Sequence, residues 1–217
     1  MITKRIIKKI NKYDVVSFDI FDTLIEREVD KPIDIFYLTG CKFFDENGAK
    51  LFQSARIRAE RLAREKSDSG EVTLEDIYKY IDGYDQIQIN NFMNMEQEIE
   101  LNSCYSKVKI NPIYRWAIDN GKKVILISDM YLSKKQITIM FSKCGIDQYS
   151  NLYVSNNHSK NKLTGELFDV AINELEIDKK NMIHIGDSIK ADYIGARKAG
   201  VSSILIGRKN RIGRLIR

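Results

Sequence analysis

The chain has 217 residues, 43% of them hydrophobic, with 12 glycines, two prolines and a formal charge of +5. That length buries one full core plus a smaller module, and the composition excludes a disordered chain. Three cysteines without paired spacing, Cys41, Cys104 and Cys144, exclude a disulfide scaffold and fit buried thiols in a reducing compartment. With no signal peptide pattern and no apolar run near 18 residues, the expected location is the cytoplasm.

The positive charge sits at the two ends. Lys4, Arg5, Lys8, Lys9 and Lys12 crowd the start, Arg208, Lys209, Arg211, Arg214 and Arg217 the finish, and without these ten cations the remainder carries −5. Ile2, Ile6, Ile7 and Ile10 interleave with the first lysines at helical spacing, which predicts a short amphipathic helix. Packing against the domain is the expected use of its apolar side, and contact with an anionic membrane surface is the alternative. No nucleic-acid reading motif accompanies the charge, so no nucleic acid partner is expected.

Next comes the run Val15-Val16-Ser17-Phe18, β-branched and aromatic like a buried strand, which ends at Asp19. Phe21, Asp22 and Thr23 follow directly. A carboxylate at a strand end can cap the turn, act as a nucleophile or hold a metal ion. From about 31 to 106 no strand signal appears, while Ala49 to Lys66 and Leu74 to Ile81 carry helical periodicity. Thr73 with Asp76 three residues later forms a weak capping box. The run Arg56, Arg58, Arg61 and Arg64 reads as the solvated face of a helix, with a phosphate or sugar acid as the alternative partner.

Beyond the insertion, Lys122 to Ser128 is an apolar strand that closes on Ser128 and Asp129, and a helix pattern covers Ser133 to Cys144. A strand at Asn151 to Ser155 precedes a loop with Lys162, and Leu167 to Glu176 is helical. Asn181 to Asp187 is a further strand, with His184 a satisfied core residue and Gly186 allowing a tight turn. The segment Gly186 to Asp192 sets two carboxylates, Asp187 and Asp192, five residues apart across a strand-to-helix turn. Ile189 to Ala199 is helical, and Ser202 to Ile206 is the last strand. Strands alternating with helices predict a parallel, doubly wound α/β sheet.

The order of these groups, an aspartate strand, a serine strand, a lysine, then Gly-Asp with a second aspartate, resembles the four motifs of the haloacid dehalogenase superfamily of hydrolases and phosphatases. The resemblance covers residues 14 to 28 and 110 to 206. It implies a Rossmann-like parallel sheet core, residues 1–30 and 107–217, with an inserted helical cap at 31–106. It makes Asp19 the nucleophile that becomes an aspartyl-phosphate, and Ser128 and Lys162 the groups that hold the phosphoryl oxygens, with backbone amides near Asp129 completing the cradle. Asp187 and Asp192, with Asp19 and the carbonyl of Phe21, would hold Mg2+, and Thr23 would orient the first motif. The chemistry is coherent, because an anionic carboxylate approaches an anionic phosphate only with a cation between them.

The pattern departs from the family at Phe21, where phosphatases of the superfamily carry the general acid. Three readings remain: a substrate whose leaving group needs no proton, Asp22 serving as the acid from the next position, or dehalogenase-like attack on carbon without magnesium. A binding or scaffold domain that keeps the site without turnover is a further alternative. The wording Ser-Phe-Asp-Ile-Phe-Asp-Thr-Leu, with Ser-Asp-Met-Tyr-Leu-Ser at 128 to 133 and Lys-Leu-Thr-Gly-Glu-Leu-Phe at 162 to 168, resembles a bacterial subgroup of predicted hydrolases found with glycosyltransferases of polysaccharide synthesis. That implies a small phosphorylated substrate, a sugar phosphate or nucleotide sugar, and a glycosyltransferase as partner.

Overall fold

The computed structural model describes residues 2–207. Helix α1 (Ile2–Ile10) leads into strand β1 (Val15–Phe18), all four residues of which are buried. Strand β2 (Ile25–Arg27) pairs antiparallel with β3 (Cys104–Ser106), and between them the chain leaves the core as α2 (Asp34–Gly40), α3 (Glu46–Lys66), α4 (Leu74–Tyr78) and α5 (Gln86–Ser103). These helices form the cap. The core resumes with α6 (Asn111–Asp119), β4 (Lys123–Ser128), α7 (Lys134–Cys144), β5 (Asn151–Val154), the single turn α8 (Ser155–His158), α9 (Glu166–Leu175) and β6 (Met182–Gly186). A π-helix at Ile189–Gly195 then runs into α10 (Ala196–Lys198), and β7 (Ser202–Leu205) follows.

Five strands make one parallel sheet in the order β5-β4-β1-β6-β7, the doubly wound arrangement expected of alternating strands and helices. Phe18 of the central strand pairs with Leu126 on one side and Ile185 on the other. The chain ends that carry Asp19, Ser128 and Asp187 therefore leave the sheet side by side at its carboxyl edge, where open sheets of this kind bind ligands.

Local signals explain where the helices start. Thr73 and Asp76 exchange both bonds of a complete capping box, and Asp85 with Gln88 and Ser133 with Gln136 do the same for α5 and α7. Gly145 ends α7 with a φ of 66°, a left-handed backbone that suits glycine. Helix α1 packs on the domain, as its apolar spacing predicts: Ile10 is fully buried, and Ile6 and Ile7 lie against the core. The basic residues Arg208, Lys209, Arg211, Arg214 and Arg217 lie outside the described residues. No helix among the described residues is long and apolar enough to cross a membrane.

The structure corrects three expectations and adds one helix that the sequence reading did not find. The stretch from 31 to 106 is not wholly helical, because β3 lies at its end. Both β2 and β3 have only three residues, too few for an alternating pattern to show. Helix α5 escaped the periodicity reading for a different reason, since its buried stripe, Ile89, Phe92, Glu96, Glu100 and Ser103, includes two glutamates and a serine. Arg56 is not on a wet face: it falls in the buried stripe Ala49, Phe52, Arg56, Ala59 and Ala63 of α3 and is fully buried, whereas Arg58 and Arg61 are exposed. Cys104 and Cys144 are buried, but Cys41 is exposed.

Candidate active site

Past β1 the backbone turns within a few residues, because the Ile20 carbonyl accepts N–H bonds from Thr23, Leu24 and Ile25. Asp22 takes a left-handed φ of 61° in this turn, a conformation that favours glycine and, after it, Asn and Asp. The Asp22 carbonyl is fixed by Lys107 Nζ at 2.5 Å. Asp19 ends up buried at 5% exposure at the sheet edge, its own N–H bonded to the Ile185 carbonyl at 2.9 Å.

Lys162 is the centre of the cluster. Its Nζ donates to Asp19 Oδ1 at 2.5 Å and to Asp192 Oδ1 at 2.6 Å, and all three side chains are buried. The loop that carries Lys162 is clamped from the end of β4, where the Asp129 carboxylate accepts the Lys162 N–H at 2.9 and 3.2 Å. Asp192 is held by more than the lysine. Its Oδ2 accepts the Ser188 N–H at 2.8 Å, and His184 Nε2 lies 3.2 Å from its Oδ1. The other ring nitrogen of His184 is 2.7 Å from the Ser17 hydroxyl. A neutral imidazole satisfies both contacts when Ser17 donates to Nδ1 and Nε2–H donates to Asp192, and burial pushes the His184 pKa down in the same sense.

Oxygen atoms of Asp19, Asp187 and Asp192 all lie within 4.8 Å of one another. Burial, partly opposed by Lys162 and reinforced by Asp192 and Asp187, pushes the Asp19 carboxyl up to about 7. Burial would also raise Asp192, but the Lys162 ammonium and the His184 bond outweigh it and hold that carboxyl far below its usual range. Burial disfavours the Lys162 cation, yet Asp19, Asp192 and Asp129 together hold its pKa above the ordinary lysine value. Two carboxylates thus share one ammonium, and of the two Asp19 is the one whose affinity for a proton is raised. The donor set fits a hard divalent cation, which binds carboxylate oxygens and supplies the charge the cluster lacks.

One cavity of about 350 Å³ opens over this cluster, and Asp19, Phe21, Asp22, Ser128, Asp129, Lys162, Asp187 and Asp192 all line it. Thr23 does not: it is fully buried behind the turn, and its hydroxyl makes no hydrogen bond to a described residue. The cap closes the other side with Phe36, Glu60 and Glu100, and Arg27 of β2 reaches in, bonded to Glu100 at 2.8 and 3.2 Å and lying 4.4 Å over the Phe21 ring.

Sequence reasoning missed several residues on which this geometry depends. Gly186 is needed for space rather than for a turn, since a Cβ there would sit 2.2 Å from Asp192 Cγ. Gly195 likewise faces the Lys162 carbonyl, 1.9 Å from where its Cβ would be. Ser17 and His184, buried polar residues inside two apolar strands, gave a signal that pointed to the core and not to the acid behind which they stand.

The sequence profile of the haloacid dehalogenase-like hydrolases matches residues 13–200. Among curated proteins none matches the chain. Solved structures with the same fold include a 2-haloacid dehalogenase from Pseudomonas syringae pv. Tomato DC3000, at 15% identity and a TM-score of 0.65 over 89% of this chain and 86% of that one. A HAD phosphatase from Thermococcus onnurineus aligns at 18% identity and a TM-score of 0.64, covering 91% of this chain and 87% of its own. CbbY from Rhodobacter sphaeroides, in complex with phosphate, aligns at 14% identity and a TM-score of 0.60, covering 90% and 86%. At such identities these likenesses speak for the fold alone, whereas the profile match runs through every element of the core sheet except β7: the chain belongs to the haloacid dehalogenase-like hydrolases.

Proposed function

We propose that the protein is a cytoplasmic, magnesium-dependent phosphatase that cleaves a small phosphorylated metabolite through an aspartyl-phosphate at Asp19. The observation that carries this reading is the meeting of Asp19, Asp187 and Asp192 within 4.8 Å of one another, with the Lys162 ammonium bonded to Asp19 and Asp192. Asp19, Asp187, Asp192 and the Phe21 carbonyl would hold Mg2+, which when bound supplies the positive charge that lets a carboxylate meet a phosphoryl group.

The chain's own residues account for the remainder. An Asp19 oxygen bonds to phosphorus as the bond to the leaving oxygen breaks, with Lys162 and the Ser128 hydroxyl donating to the phosphoryl oxygens. Water then hydrolyses the aspartyl-phosphate, which releases phosphate and restores Asp19. Phe21 has no proton for the leaving oxygen, so that proton comes from Asp22, which lines the same cavity, or is not needed when the leaving group is good. Attack on a carbon–halogen bond is the second reading, favoured by the aromatic side chain of Phe21. It gains nothing from Asp187 and Asp192 crowding the nucleophile, and the phosphatase reading explains both.

The test is hydrolysis of 4-nitrophenyl phosphate, whose good leaving group tolerates Phe21, with magnesium and with a chelator. Turnover should require the metal, and Asp19→Asn should lower it by about 10,000-fold or more. A native enzyme without magnesium-dependent turnover of this ester or of a broad phosphate panel would end the reading.

A further inference from the structure

Two cations line the cavity, Lys162 and Arg27, and the chemistry set out above uses only the first. Arg27 is placed by the two-stranded sheet. Its backbone pairs with Cys104, which directly follows α5, so the side chain meets the last turn of that helix. There Nε and Nη2 donate to the two Glu100 oxygens at 2.8 and 3.2 Å. The pair is nearly dry, with side chains 7% and 1% exposed.

Glu100 takes one edge of the guanidinium and leaves Nη1 without a bond to a described residue. The Arg27 Cζ lies 4.4 Å over the Phe21 ring, and both side chains line the cavity that holds Asp19. Phe21 stands two residues beyond the nucleophile, at the position from which phosphatases of the superfamily protonate the leaving oxygen. An aspartate at 21 would compete with Glu100 for the guanidinium, whereas an aromatic ring attracts the cation and takes none of its N–H groups. The departure at Phe21 and the open Nη1 of Arg27 therefore belong together.

A leaving oxygen gains negative charge as its bond to phosphorus breaks, and it needs either a proton or a donor. A charged donor held in a dry site is worth about 100-fold to 1,000-fold in rate. Arg27 is such a donor and not an acid. Burial disfavours its cation, yet Glu100 outweighs burial and keeps the pKa above the ordinary arginine value.

We propose that Arg27 is a catalytic residue that donates an Nη1 hydrogen bond to the leaving oxygen. The electron pair of the broken bond stays on that oxygen, and the proton that completes the alcohol comes from water after departure. This rests on the phosphatase reading and assigns the leaving oxygen to Arg27 instead of Asp22.

The test compares magnesium-dependent kcat for 4-nitrophenyl phosphate and for phenyl phosphate, whose leaving group is the poorer one. Arg27→Met combined with Glu100→Gln, which leaves no buried charge stranded, should lose about 100-fold or more on phenyl phosphate and about tenfold or less on 4-nitrophenyl phosphate. Arg27→Lys keeps a cation beside Glu100 and should recover part of the difference. The native enzyme supplies a second readout that depends on no variant: between about pH 7 and 9 the two esters should share one pH profile, because arginine does not titrate there. Equal losses on both esters would give Arg27 a structural role only, and a fall of phenyl phosphate turnover relative to 4-nitrophenyl phosphate as pH rises would reveal a titrating acid. Either result overturns the inference and leaves the phosphatase reading intact, as does native turnover of 4-nitrophenyl phosphate with none of phenyl phosphate. Absence of native turnover for both esters overturns the inference together with that reading.

Discussion

The cap and the core each bury a cluster of charged side chains, and the clusters differ in whether the charges cancel. In the cap, the fully buried Glu96 accepts Arg56 Nε and Nη2 at 2.9 and 2.8 Å, the Tyr78 hydroxyl at 2.7 Å and the Tyr131 hydroxyl at 3.2 Å. The Glu96 lone pairs are filled, and the same guanidinium also reaches Glu60 at 3.2 Å. In the core, Asp19 and Asp192 share the Lys162 ammonium, and an Asp187 oxygen lies within 4.8 Å of theirs. A buried network whose charges balance fixes a shape, while one that crowds carboxylates together stores the perturbed ionisation on which chemistry draws. The two meet at Tyr131, which follows Ser128, Asp129 and Met130 out of β4 and bonds to Glu96 of the cap. The structural cluster therefore fastens the cap over the reactive one.

Removing one member of the cap pair should show the largest effect on stability. Glu96→Ala leaves Arg56 buried with only Glu60 beside it, and stability should fall by about 3–5 kcal/mol, read as a lower urea midpoint with little change in slope. A loss under about 1 kcal/mol would mean that water reaches the site, and that the cap cluster is not the satisfied one described above.

Gly186→Ala attacks the other side of the comparison. The new methyl would occupy the place of the Asp192 carboxyl, 2.2 Å from Cγ and 2.4 Å from Oδ2, while the backbone there needs no left-handed φ. Turnover of 4-nitrophenyl phosphate should drop by about 100-fold through misplacement of one acid, and Mg2+ affinity measured by calorimetry should weaken in parallel. Native turnover with native metal affinity would show that Asp192 has room to spare, and that the core cluster tolerates rearrangement.

The residues that were legible in the sequence, and those that were not, follow the same division. Asp19, Ser128 and Asp187 announce themselves because each stands where an apolar strand stops, Asp192 follows Asp187 across the strand-to-helix turn, and the five long-enough strands were readable as apolar runs. The cap network was opaque. Glu96, Glu100 and Arg56 occupy stripe positions where periodicity expects apolar residues, so charge concealed the helix face instead of revealing it. Arg27 and its bond to Glu100, 73 residues away, depend on a pairing of two three-residue strands that no local pattern encodes. Gly186 looked like a turn because a glycine's lack of a side chain can serve conformation or space, and only the placement of Asp192 separates the two.

The smallest expected effect tests the idea that the core cluster is held at a cost to stability. The Asp19 carboxyl titrates near 3.9 in an unfolded chain and is raised to about 7 by burial and its acidic neighbours in the fold. The folded state therefore holds this proton more tightly, so its advantage is complete below about pH 4 and is lost as pH rises through about 7. Asp19→Asn removes the titration. At pH 8 with a chelator present, the variant should be more stable than the native protein, because the Asp19 carboxyl, whose raised value already includes the Lys162 attraction, must be ionised there at a cost to the fold. At pH 4 that gain should vanish, since both side chains are then uncharged. Thermal melts across this range check the sign: a variant less stable than the native protein at pH 8 would mean that Lys162 fully neutralises Asp19 without a metal, and the contrast between the two clusters would reduce to one of position alone.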